Sequence, residues 1–107
     1  MADKTLFEKI IDKEEPGEFV YEDDKFVIIK SKFPVAQTHL LIIPRKVIPS
    51  IADASTEDTA LVGELMLLAA RYAKEQGMAN YKLVFNAGKY LHVPHLHLHL
   101  LAGDNLE

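Results

Sequence analysis

Residues 91–103 read LHVPHLHLHLLAG, and within them His95, His97 and His99 alternate with Leu96, Leu98 and Leu100. Successive side chains of a β-strand point to opposite faces, so this period of two puts three imidazoles on one face and three leucines on the other. The leucine face belongs to a core. The imidazole face is a row of groups on a rigid element, each able near neutral pH to act as nucleophile, proton carrier or metal ligand. His92 precedes the row, so four of the five histidines lie between residues 92 and 99.

Upstream, THLLIIP (38–44) carries His39 near its start, and its unbroken apolar run suits a central strand buried on both faces. FVY (19–21) and FVIIK (26–30) flank the acidic EDDK, which reads as two strands around a tight turn. YKLVFNAG (81–88) is a fourth strand with Asn86 near its end, and the histidine stretch is the fifth. Leu6, Phe7, Ile10 and Ile11 have helical spacing over residues 4–12, with Pro16-Gly17 as the expected stop. A long helix is predicted over 56–76. Ser55 or Thr56 caps it, Glu57 and Asp58 oppose its dipole, Leu61, Leu65, Leu68 and Tyr72 form its core ridge, and Gly77 closes it. Val62, Met66, Ala69 and Ala73 form a second apolar ridge that suggests a subunit interface. Short connections favour antiparallel pairing, so the expectation is one α+β domain over residues 1–107.

Composition narrows the function classes. A chain of 107 residues that is 49% hydrophobic can bury a core unaided, and with no cysteine it has neither disulfides nor thiolate ligands. The net charge is −4 with lysines and arginines scattered, so no nucleic-acid footprint is visible. No apolar run is long enough to span a bilayer, and MADKTLFEKI is too charged for a signal peptide. The expectation is a cytoplasmic protein with neither a membrane nor a nucleic acid as partner.

Three readings of the histidine row stand side by side. Buried structural imidazoles carry desolvation and like-charge costs when clustered. Metal binding suits His-x-His on a strand, yet no Asp or Glu lies within residues 88–103 to orient a ligand, although His39 could complete a site from a neighbouring strand. Nucleophilic attack at phosphorus suits a neutral imidazole whose second nitrogen is held by an acceptor, with flanking histidines stabilising the crowded phosphoryl oxygens.

HLHLHLL (95–101) matches the His-φ-His-φ-His-φ-φ signature of the histidine-triad (HIT) superfamily of nucleotide hydrolases and transferases. The chain resembles the Hint-like branch along nearly its whole length, through TLFEKIIDKEEP, VYEDDKF, PVAQTHLLIIPRK, VFNAG and the triad in order. The resemblance implies a five-stranded antiparallel sheet with two helices, dimerised into a larger continuous sheet. It implies a nucleotide hydrolase of phosphoramidase type that needs no cofactor or metal. His97 would attack the α-phosphate of a purine nucleotide of AMP type and form a covalent nucleotidyl-histidine. His95 would orient His97 through its carbonyl, His99 would contact the phosphate, and His39 would buttress them. Asn86, Ser31, Lys32 and His92 would meet the sugar and phosphates, with Leu6, Phe7, Ile10 and Ile29 around the base.

The chain departs from the branch at several positions. Ser31 stands where an aspartate usually binds the ribose, Glu15 where an apolar residue commonly lines the base pocket, and Leu91-His92 where a Gln-Ser or Gln-Thr pair commonly precedes the triad. Thr5 and Glu8 replace the Cys-x-x-Cys with which some relatives bind structural zinc. The alternatives are a nucleotide-binding regulatory module with little turnover, a dinucleoside polyphosphate hydrolase and, third, a zinc-binding protein.

Overall fold

The computed structural model describes residues 3–104 and Leu106. Strands β1 (Phe19–Glu22), β2 (Phe26–Lys30), β3 (Thr38–Pro44), β4 (Lys82–Val84) and β5 (Leu98–Ala102) form one antiparallel sheet in the order β1-β2-β3-β5-β4. Helix α1 (Leu6–Ile11) covers one face and α2 (Thr59–Glu75) the other. The α+β class, the five strands and the two helices are those the sequence predicts. Among the described residues no helix is long and apolar enough to cross a membrane.

The period of two sorts the sheet into its two layers. Phe26, Ile28, Leu40, Ile42, Leu98 and Leu100 face Leu65, Leu68, Ala69 and Ala73 of α2. Val27, Ile29, Leu41 and Ile43 face Phe7, Ile10 and Ile11 of α1. Burying each of the Val, Leu, Ile and Phe side chains among them contributes about 1.5–3 kcal/mol, so both layers are strongly specified. β3 pairs with β2 and β5 and is buried on both faces, as its apolar run requires. His39, in register opposite Leu101, therefore shares the α1 face with His99, which lies opposite Leu41.

Four boundaries differ from the sequence expectation. The histidine strand enters the ladder only at Leu98, opposite Ile42; Leu96 instead donates its N–H to Ile48 O at 2.6 Å. Pro44 has no N–H to extend the pairing with β3, and its carbonyl is taken by the His95 ring. β4 stops at Val84, short of Asn86. Helix α1 stops at Asp12 rather than at Pro16-Gly17, because Lys13 turns into the left-handed region at φ 63° and Glu14 N–H closes on Lys9 O. Gly17 serves a different need, since a Cβ there would lie 2.5 Å from Ile10 Cγ2. The long helix opens with a separate 3-10 turn, Thr56–Asp58, capped by Ser55 and boxed by the Asp58 carboxylate. Its second ridge is also divided. Ala69 and Ala73 are buried in the chain's own core and Val62 packs against it, leaving Met66 outside.

Candidate active site

A cavity of about 740 Å³ opens on the α1 face of the sheet. Its apolar end is walled by Leu6, Phe7 and Ile10 from α1 and by Ile29 from β2, which are the expected base-pocket positions. Its polar side carries His39, His92, His97, His99 and Asn86, and Ser31 and Lys32 line the rim, so these predicted residues do converge. His95 does not line it. Because residues 95–97 lie outside the ladder, strict alternation fails there, and the His95 ring is fully buried between Pro44 and Thr5. The row of three imidazoles expected on one face is in the structure a pair in the cavity and a third behind it. Glu15 does not line the cavity either.

The geometry at His97 fixes its protonation. Its Nδ1 lies 2.7 Å from the main-chain oxygen of His95. A carbonyl only accepts, so Nδ1 carries the ring proton and Nε2 keeps its lone pair. The Phe7 ring meets the imidazole edge-on at a centroid distance of 4.7 Å, holding its plane. Burial lowers the His97 pKa from its ordinary 6.5; the His95 carbonyl opposes the shift, and the neighbouring His95, His39 and His92 add to it. His97 is thus a neutral base at physiological pH.

A second chain of hydrogen bonds sets His99. Val35 N–H donates to His39 Nδ1 at 3.1 Å, so the His39 proton sits on Nε2, which lies 2.9 Å from His99 Nδ1. His99 accepts there and carries its own proton on Nε2, 3.2 Å from the Asn86 amide. Donor logic then turns the amide so that its oxygen accepts. Burial, with the nearby His97, His39 and His92, lowers the His99 pKa to about 4. Burial also lowers the pKa of His39. The cavity therefore presents one lone pair, on His97, beside a neutral His99 whose Nε2–H is held by Asn86.

These bonds also bear on metal binding. Both nitrogens of His39 and of His99 are committed to protein partners, and among the described residues no three His, Asp or Glu side chains group as a metal site. Ser31 Oγ accepts from Phe33 N–H at 3.2 Å, so toward a ligand it offers its hydroxyl proton. Leu41 and Leu101 also line the cavity, and extending the alternation from His39 and His99 by two residues finds them. Nothing in the local sequence signals the Val35 amide or the Thr5 hydroxyl as partners of the histidines.

The family model described as "Scavenger mRNA decapping enzyme C-term binding" matches residues 4–106. A protein of Escherichia coli (strain K12) named purine nucleoside phosphoramidase is 39% identical over 110 residues, covering 99% of this chain and 92% of that relative. The crystal structure of a HIT family hydrolase from Legionella pneumophila Philadelphia 1 superposes with a TM-score of 0.92 at 37% identity, covering 97% of this chain and 96% of that one. A histidine triad protein from Clostridium difficile gives 0.91 at 32% identity, covering 100% and 97%. With the family model and these relatives covering nearly its whole length, the chain belongs to the histidine-triad (HIT) family.

Proposed function

We propose that this protein is a hydrolase that cleaves the phosphorus–nitrogen bond joining a purine nucleoside monophosphate to an amine, through a covalent intermediate on His97. The observation that carries the reading is the 2.7 Å contact between His97 Nδ1 and the His95 carbonyl, which leaves Nε2 as the lone pair in a cavity with an apolar end suited to a base. The relative named purine nucleoside phosphoramidase supports the choice of bond and base. In the first step Nε2 bonds to phosphorus as the P–N bond breaks, and the amine leaves with a proton for which His92 at the cavity rim is the donor. In the second, water attacks phosphorus and gives a proton back to His92 as the P–Nε2 bond breaks, returning His97 as the neutral Nδ1–H ring and releasing the nucleotide. His99 turns its Nε2–H from Asn86 to hydrogen-bond a phosphoryl oxygen in both, and no step calls on a metal.

The reading includes a homodimer. Helix α2 carries an outward apolar stripe, Met66 at 43% and Leu67 at 70% exposure, flanked by Gly63 and Ala70, and β4 ends the sheet beyond β5. A twofold axis beside both would bury the stripe and extend the sheet.

The test is a short, quenched incubation with an adenosine phosphoramidate, followed by mass analysis of the peptides. Added nucleotidyl mass on His97 is expected. His97→Ala should lose turnover by several orders of magnitude and still bind nucleotide. Label confined to another histidine, or an active variant, overturns the assignment.

A further inference from the structure

We propose that Thr5 is a positioning residue for the nucleophile: its hydroxyl holds His95 in one tautomer, and with it the main-chain carbonyl that aims His97. The proposal rests on the reading of His97 as the attacking group.

His95 Nε2 lies 2.7 Å from Pro44 O, a carbonyl that can only accept, so Nε2 carries the ring proton. The neutral ring then has a bare lone pair on Nδ1. His95 is fully buried, and the group near that lone pair is Thr5 Oγ1 at 3.3 Å, ninety residues away in sequence. Thr5 Oγ1 already accepts Glu8 N–H at 3.1 Å as the N-cap of α1, while Glu8 Oε1 accepts Thr5 N–H at 2.9 Å. Its hydroxyl proton is therefore available to Nδ1. One arrangement of protons satisfies all of these groups together.

The His95 backbone is what this ring anchors. His95 N–H donates to Val93 O at 2.8 Å, and its carbonyl accepts His97 Nδ1–H at 2.7 Å. The segment lies outside the sheet ladder, so regular strand pairing does not hold it. The ring acts as a peg between the end of β3 and the start of α1. Without the Thr5 proton, Nδ1 is either an unsatisfied buried acceptor or takes up the ring proton itself, and the ring then abandons Pro44. Both outcomes shift the carbonyl. The same hydroxyl starts α1, whose next two residues, Leu6 and Phe7, wall the cavity, so one side chain joins the substrate wall to the nucleophile's support.

Three full-length variants separate positioning from helix capping. Thr5→Ser keeps both roles. Thr5→Asp keeps the cap, because a carboxylate accepts Glu8 N–H, yet it has no proton to give Nδ1. Thr5→Val loses both. Nitrogen-15 NMR of the ligand-free protein should find His95 as the Nε2–H tautomer and His97 as Nδ1–H in the wild type and in Thr5→Ser. In Thr5→Asp, the ring proton of His95 should move to Nδ1, facing the carboxylate, and leave Nε2 bare at Pro44. With the phosphoramidate, Thr5→Asp should lower kcat about 10- to 100-fold, the scale of a misplaced reacting group, and change KM by less than about twofold. Thr5→Ser should restore kcat. An Nδ1–H tautomer of His95 in the wild type, or a Thr5→Asp variant with unchanged kcat and spectrum, overturns the proposal. Wild-type protein without turnover overturns the functional reading alone, and the His97 signals of the variants then decide the positioning role: perturbed in Thr5→Asp, they support it; unchanged, they overturn it.

Discussion

His39, His95, His97 and His99 are bases whose affinity for protons falls on folding, chiefly by burial, and this gives the molecule a defined pH dependence. An unfolded chain protonates each near the ordinary 6.5, whereas folded His99 does so only near 4. Between those values the unfolded state binds more protons, so stability falls as the pH drops through this window and is level above it. The carboxylates that folding perturbs, Glu22, Asp23 and Asp58, have pKa values shifted downward, so above pH 5 the histidines dominate. Urea midpoints at pH 7.5 and pH 5 should therefore differ, with the lower value at pH 5; equal midpoints would contradict the burial argument. The acid limb of kcat/KM should likewise lie below 6.5, because His97 stays neutral there. At this scale His97, His99 and His39 were legible from spacing and resemblance. The true setting of His95 was not, because it depends on Pro44 and Thr5, which are remote in sequence.

Among the secondary-structure elements, α2 shows how local chemistry sets an end. Gly77 follows the last turn at φ +76°, in the left-handed region, and a Cβ there would meet no atom within 4 Å. Gly77→Ala thus adds no clash and costs only backbone strain, about 1–2 kcal/mol, partly offset by the stiffer unfolded chain, about 0.4–1 kcal/mol. A net loss of about 1 kcal/mol is expected in urea unfolding at unchanged m; a neutral result would mean that the turn relaxes. The capping signals of Ser55 and Gly77 could be read directly, because capping joins residues only a few positions apart. The start of β5 could not, because a strand begins where a partner has free ladder groups, and Pro44 ends that partner.

At the scale of the whole molecule, the outward face of α2 bears on assembly. Leu67 stands on the outward stripe of α2, and a twofold axis there would place two copies of any substitution close together. Leu67→Glu should then convert a micromolar dimer to a monomer in sedimentation, with the α2 core face untouched because Leu65 and Leu68 point inward. A wild-type monomer at micromolar concentration would remove the dimer from the proposed function. The ridge named from helical spacing misjudged the outer face because spacing tells which residues share a stripe, while the angle at which α2 sits on the sheet decides which stripe is covered. Ala69 and Ala73 are small enough to let the helix approach closely, and so they ended inside.

The sequence by itself determined the class, the strand count, the two-layer alternation and the identity of the histidines, since each follows from periodicities of two or 3.6 residues and from a short motif. For His97 the resemblance already implied the His95 carbonyl, two residues away, as the holder of its proton; for His39, His95 and His99 the tertiary structure alone decided which nitrogen carries the proton. That choice belongs to Pro44 O, Val35 N and Thr5 Oγ1, which reach the rings only after β3, β5 and α1 have packed. A hydrogen bond depends on separations in space of about 3 Å, and local pattern carries no information about contacts between residues ninety positions apart.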